Sequence, residues 1–399
     1  MRLIRYDSST RNLHSKFIVS RHLLPRITEP FPFLRRLEVF MCRRTYRMRC
    51  ALVIAWAVGL LTTGCSCNTN RINCGGSTFV DPIMQKWSDV YNEMTGVEID
   101  YKRSGSGYGV QQMLAKTIDF GCTDAPMNAE QTLAARDEGG EVIHVPLIMG
   151  AVVLIYNLPG IDKQIVLDGK TIARIYLGEI KTWNDEAIAV LNPDLRDKLA
   201  DTPIVPVYRA ESSGTTKIVT EYLSKSHAGF AEKIGTSSAP KWPQIGTGQN
   251  GNDGIAGFVK RESNVGSIGY VEIYHAQRNN IPFARIRNRK GAVIAPDDDS
   301  VRAAAEGALA APNTDEPYSL HKLTYSLTDV DNEKAYPLCG MSYAVFYKNQ
   351  PPGKGKTIVD FLKWTTADGQ RFAHDLGYAP LPESLCKIIH SRLEQMRFP

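Results

Sequence analysis

Three Ser/Thr-Gly clusters in this chain each run directly into an amphipathic helical pattern. They are Gly75-Gly76-Ser77-Thr78-Phe79, Ser104-Gly105-Ser106-Gly107 and Ser212-Ser213-Gly214-Thr215-Thr216. A helix start leaves backbone N–H groups without intrahelical acceptors and carries the positive end of the helix dipole. Hydroxyls and amides there point at whatever binds, so each cluster is a candidate anion cradle. One such loop is weak evidence, because Ser, Thr and Gly also make ordinary caps and turns. Three of them, with Asp124 and Arg209 in similar settings, point to a site built around a small oxyanion.

The segments between the clusters set the fold class. Asp81 to Met94 has helical spacing, with Pro82 near its start and Ile83, Trp87, Val90, Tyr91 and Met94 on one face. Val97 to Tyr101 alternates like a strand, Val110 to Ala115 is helical, and Ile118 to Cys122 reads as a short buried strand. Val142 to Tyr156 is largely apolar and broken by Gly150, as central strands would be. This β-α-β-α-β rhythm indicates an α/β domain with a mostly parallel sheet. Further on, Ile204 to Tyr208 is a strand ending at Arg209, and Lys217 to Leu223 is helical. Gly246 to Gly254 is dense in Gly and Asn and reads as a loop, with Asn252 and Asp253 as turn formers. The basic stretch Arg285 to Lys290 and the acidic Asp297 to Asp299 read as solvated turns. Trp87, Trp183 and Trp242 read as packing residues.

The formal charge of +5 belongs to the N-terminus. Residues 1–64 hold 12 Lys/Arg and 3 Asp/Glu, and the rest of the chain holds 35 basic against 39 acidic residues. Nucleic-acid binding therefore loses its electrostatic basis. Residues 1–47 carry Arg and scattered apolar residues with no sustained period, so they read as an unstructured or non-native extension. Residues 48–64 have the proportions of a signal peptide, with an apolar run from Ala51 to Leu61 too short to span a membrane. Leu61-Thr62-Thr63-Gly64-Cys65 resembles the lipobox of bacterial lipoproteins, although Thr62 stands where Leu is usual. That pattern implies cleavage before Cys65 and a lipid on its thiol; a plain cleaved signal peptide is the alternative. Residues 65–74 follow as a polar tether. The eight cysteines show no metal-ligand spacing, and the histidines are scattered, so no metal or cofactor is expected. Cys74 and Cys122 each end a strand-like run near a cradle, either as isolated buried thiols or as a pair.

From about Gly75 onward the chain resembles the phosphate-binding proteins of bacterial high-affinity phosphate ABC transporters. The likeness rests on Gly76-Ser77-Thr78-Phe79, Asp119-Phe120-Gly121-Cys122-Thr123-Asp124-Ala125-Pro126 and Asp168-Gly169-Lys170-Thr171. Arg209-Ala210-Glu211-Ser212-Ser213-Gly214-Thr215, Gly251-Asn252-Asp253-Gly254, Gly269-Tyr270-Val271-Glu272 and Gly377-Tyr378-Ala379-Pro380 follow in order. The resemblance implies a type II periplasmic binding protein fold: two α/β lobes joined by crossing hinge strands, with the ligand in the cleft. Residues 75–152 and 273–399 would form the first lobe and 153–272 the second.

The same resemblance implies the ligand set. Thr78 and Phe79 would offer backbone N–H groups, Thr78 also its hydroxyl, and Ser106 both. Arg209 would make charge-assisted bonds, and Ser213, Gly214 and Thr215 would complete the site. Asp124 would accept a proton from HPO4 or H2PO4. Sulfate has none to give near pH 7, so one acceptor among donors discriminates between the two anions. Glu211 stands where the family has Asp beside the Arg, and Tyr108 interrupts the usual Ser-Gly-Gly of the second cradle, facing solvent. The expectation is an exported, periplasmic, lipid-anchored monomer that delivers inorganic phosphate to an ABC permease with a cytoplasmic ATPase. A membrane-anchored sensor or scavenger would keep the site and change its use; Asp124 argues against sulfate or molybdate. No Gly-x-Ser-x-Gly, HExxH or complete Walker loop is present, so no enzyme is expected.

Overall fold

Apolar strands separated by helices that bury one face give this chain a sheet with helices packed on it. The computed structural model describes residues 70–312 and 317–398. The expected N-terminal extension, signal peptide and lipidation site Cys65 lie outside the described residues.

The elements run β1 (Arg71–Gly76), α1 (Asp81–Thr95), β2 (Glu98–Arg103), α2 (Ser106–Leu114), β3 (Phe120–Thr123), α3 (Ala129–Glu138) and β4 (Val142–Tyr156). Next are β5 (Val166–Asp168), α4 (Gly169–Tyr176), α5 (Glu186–Leu191), β6 (Val205–Arg209), α6 (Gly214–Ser226), α7 (Ala228–Lys233), β7 (Thr247–Gln249) and α8 (Gly251–Val259). The chain continues with β8 (Ser267–Glu272), α9 (Ile273–Arg278), β9 (Arg285–Arg287), β10 (Val293–Ile294) and α10 (Asp298–Ala310). It ends with β11 (Cys339–Tyr347), α11 (Lys354–Thr365) and α12 (Glu383–Leu393).

Eight strands form one sheet in the order β2-β1-β3-β11-β4-β8-β6-β7. β4 is shared by its two halves. Its residues up to Ala151 pair antiparallel with β11, and Val152 to Tyr156 pair antiparallel with β8. β1 runs parallel to β2 and β3, and β6 parallel to β7 and β8. The result is a two-lobed α/β architecture in which β1, β3, β6 and β7 all end on the cleft side. A smaller sheet, β10-β9-β5, packs beside the second half.

Several expectations change. Residues 71–74 close no tether; they begin β1, because Ile72 and Cys74 bury their side chains in the core. Gly150 does not break β4. It pairs in register with Gly340, and a Cβ there would lie 2.8 Å from the Phe79 ring, so the glycine makes room for packing. Met94 points outward at 57% exposure. The stretch 246–254 is not a loop but β7 and the first turn of α8, which carries no apolar residue because it faces the cleft. Arg285 to Arg287 is β9, anchored by buried Ile286. Asp297 caps α10 in a capping box with Ser300, and Asp298 and Asp299 follow in its first turn. Trp87 and Trp183 are fully buried, their indole N–H groups donating to Gly369 O and Gly266 O. Trp242 stacks on Tyr208. Cys74 and Cys122 are free buried thiols on adjacent strands. No helix among the described residues is long and apolar enough to cross a membrane.

Candidate functional site

The end of β3 delivers Asp124 into the cleft, 5% exposed. Ser77 Oγ and Ser342 Oγ donate to its Oδ1 at 2.5 and 2.9 Å, and Ser106 Oγ to its Oδ2 at 3.3 Å. Burial pushes its carboxyl up to about 6, against the pull of these hydroxyls and the Arg209 charge. Ser106 is the junction between lobes. Its oxygen also accepts the Gly214 amide at 3.0 Å and the Asp124 amide at 3.3 Å. A Cβ on Gly214 would fall 2.6 Å from both Asp124 Oδ2 and Ser106 Oγ, so only glycine allows this approach. Phe79 N donates to Ser77 Oγ at 2.9 Å.

Arg209, at the end of β6, is 4% exposed. Its backbone N–H donates to Tyr270 OH, which is bonded in turn to Thr216 Oγ1 at 2.7 Å. Its Nε donates to Glu211 Oε1 at 2.7 Å, and its Nη2 to the same oxygen. Gly251 N joins them at 3.0 Å. Glu211 thus gathers the Arg and the start of α8 on one oxygen, while Oε2 is buried without a protein partner among the described residues. Arg209 Nη2 also reaches Thr78 Oγ1 at 3.1 Å, and Nη1 reaches Thr215 Oγ1 at 3.5 Å.

Four helix starts meet here. α1 follows Thr78-Phe79, α2 begins at Ser106, α6 at Gly214 and α8 at Gly251. Ser213 caps α6 by accepting Thr216 N. Asn252 places its N–H and Nδ2 at 3.3 and 3.1 Å from Thr78 Oγ1, while Glu272 N donates to its Oδ1. Three N–H donors therefore converge on Thr78 Oγ1, a hydroxyl that accepts two. At the mouth Arg103 Nη1 pairs with Asp253 at 2.8 Å across the cleft. Tyr108 takes Lys102 over its ring instead of entering the site.

The fold brings Thr78, Phe79, Ser106, Asp124, Arg209, Glu211, Ser213, Gly214 and Thr215 into one bonded cluster. Sequence reasoning missed Ser77, Ser342 and Asn252 as members. Ser77 sat inside the first cluster and was legible there; Ser342 lies in an apolar strand that carries no local signal. Chemically the cluster is a buried set of positive and N–H donors with two carboxylates, Glu211 paired with Arg209 and Asp124 held by hydroxyls, suited to a small oxyanion that still carries a proton.

The model of the PBP superfamily domain matches residues 63–368. The phosphate-binding protein PstS of Pasteurella multocida is 36% identical over 86% of this chain and 94% of its own length. The chain belongs to the PstS family. The PstS protein of Methanocaldococcus jannaschii is 34% identical over 80% of this chain and 85% of its own. In fold, the PstS-type architecture matches the phosphate-binding protein from Stenotrophomonas maltophilia with a TM-score of 0.62 at 18% identity, over 80% of this chain and 93% of that one. A putative phosphate ABC transporter substrate-binding protein with bound phosphate from Clostridium perfringens aligns with a TM-score of 0.55 at 17% identity, over 78% of this chain and all of that one.

Proposed function

We propose that this chain captures inorganic phosphate between its lobes outside the cytoplasm and hands it to an ABC permease. The observation that carries the reading is Asp124, a buried acceptor set among hydroxyl and N–H donors. Thr78, Phe79, Ser106, Arg209, Ser213, Gly214 and Thr215 are the proposed partners of the ion, and Asn252 joins them. Arg209 neutralises the anion, and Asp124 takes the phosphate proton as a hydrogen bond. Sulfate would face the same carboxylate with nothing to donate and leave a buried charge unpaired. The ion undergoes no covalent change, so the protein acts as a carrier and not as an enzyme. Closure buries the ion, and the closed shape is what a permease would recognise.

The lobes proposed from sequence are 75–152 with 273–399, and 153–272. The pairing of β9 with β5 favours counting residues 285–294 with the middle lobe. A lipid on Cys65 would hold the protein, as a monomer, at the membrane face of the periplasm. The test is calorimetric titration of the full chain, freed of bound anion, with phosphate and then sulfate. Tight one-to-one phosphate binding without a sulfate response is expected; equal binding of both removes Asp124 from the ligand.

A further inference from the structure

A second polar cavity, about 350 Å3 in volume, lies between the start of β4, the end of β11, the turn at 320–322 and α12. Lys348 at this cavity lies six positions along β11 and its extension from Ser342 at the cleft, about 20 Å at the usual strand rise. Lys348 and Arg392 line it, with one lining carboxylate, Glu141. That local positive excess runs against the chain beyond residue 64, where acidic residues outnumber basic ones 39 to 35.

His144 also lines the cavity and is 6% exposed. Its Nε2 accepts the Met127 amide at 3.1 Å, which puts the ring proton on Nδ1. No described residue accepts from Nδ1. Burial, with Lys322 and Arg392 nearby, holds the ring's pKa down at about 4, so it is a neutral donor. Arg392 commits Nη2 to the His321 carbonyl, and its other N–H groups have no hydrogen-bond acceptor among the described residues. Lys348 pairs with Glu141 at 2.8 Å at the lip. These N–H groups of His144 and Arg392 face the cavity and are open to an acceptor that a ligand brings. Ile143 and Ile388 add an apolar wall, and the volume falls within the range of small-molecule pockets.

We propose that this cavity is a second binding site, for a small organic phosphate whose head group meets Arg392 and the His144 N–H. The site is independent of the cleft and of what the cleft binds. The same head-group chemistry is offered by a free phosphomonoester and by an anionic lipid.

The test uses the full chain in saturating inorganic phosphate, which occupies the cleft. Glycerol 3-phosphate is titrated in one arm and phosphatidylglycerol vesicles in another, with the His144 ring followed by NMR. A saturable shift of the His144 signal is expected, weakened at least tenfold by Arg392→Gln. Lys348→Gln, at the exposed lip, weakens it in the same direction and serves if Arg392→Gln disturbs folding. Response to glycerol 3-phosphate assigns a free ligand; response to vesicles alone assigns a lipid head group. A His144 signal unmoved by both probes at about 10 mM overturns the proposal, as does a shift that both variants leave intact. Because the readout is at His144, it stands whether or not the cleft holds phosphate.

Discussion

Ser342 and Asp124 stand 218 positions apart, yet the Ser342 hydroxyl donates to Asp124 Oδ1 at 2.9 Å. Ser77 donates to the same oxygen from a third segment. Both hydroxyls donate their single proton to Asp124, which aims the carboxylate and favours its ionised form against the burial that raises its pKa. That orientation is what makes Asp124 selective for an anion that brings its own proton.

Asp124→Asn gives an amide that can donate to a fully ionised anion. Phosphate binding should weaken and sulfate binding should appear, narrowing the ratio of their dissociation constants at pH 7.5. Calorimetry with both anions checks this. A ratio equal to that of the native chain would move Asp124 out of the ligand shell.

The raised pKa of Asp124, about 6, predicts a pH signature in the ligand-free protein. The native carboxyl binds its proton more tightly than the unfolded one does. Its stabilising contribution is therefore complete below about pH 4 and is lost as pH rises through 6, by up to about 3 kcal/mol. Urea unfolding between pH 4 and 8 should show this slope in the native chain and lose it in Asp124→Asn. Over the same range, sulfate should gain affinity below pH 6, where Asp124 becomes a donor.

Arg209→Ala should abolish tight phosphate binding. It also strips Glu211 of its two Arg donors and leaves a largely buried carboxylate paired only with Gly251 N. A loss of about 3–5 kcal/mol in binding, a few hundred-fold or more, is expected. Adding Glu211→Gln should recover stability without recovering affinity, which a thermal melt and a titration separate.

Asn252→Ala removes one of the three donors that meet at Thr78 Oγ1 and the acceptor of Glu272 N. Phosphate affinity should fall by about 1–3 kcal/mol, with discrimination against sulfate kept. Normal affinity would return Asn252 to a turn-forming role.

Arg103→Ala breaks the pair with Asp253 at the cleft mouth. Both side chains are half exposed, so the effect should be small, a few-fold faster phosphate release with little change in capture. Stopped-flow release at low and high salt checks it; salt should narrow the difference between native and variant.

The cradles were legible because helix starts write themselves locally: Ser213 before Gly214, Ser106 after Gly105, Thr78 before a Pro-led helix. Hydrophobic period gave β2, β3, α1 and α2 within a few residues. Asn252 was hidden by its own helix, whose first turn carries no apolar residue to reveal the period. The start of β1 reads as tether, because Arg71 and Asn73 alternate with Ile72 and Cys74 over too few residues to tell a strand from a linker, and only its pairing with β2 and β3 settles it.

Local sequence determined which segments become helices and strands and which residue types stand at helix starts, because capping and period are properties of neighbours in the chain. Only the tertiary structure decided which of those starts face one another. Parallel pairing of β1 with β3 and of β6 with β7, joined through β4, carries four helix N-termini to one cleft. Burial there then gives Asp124 its raised pKa, and burial is a property of the whole fold that no stretch of sequence holds by itself.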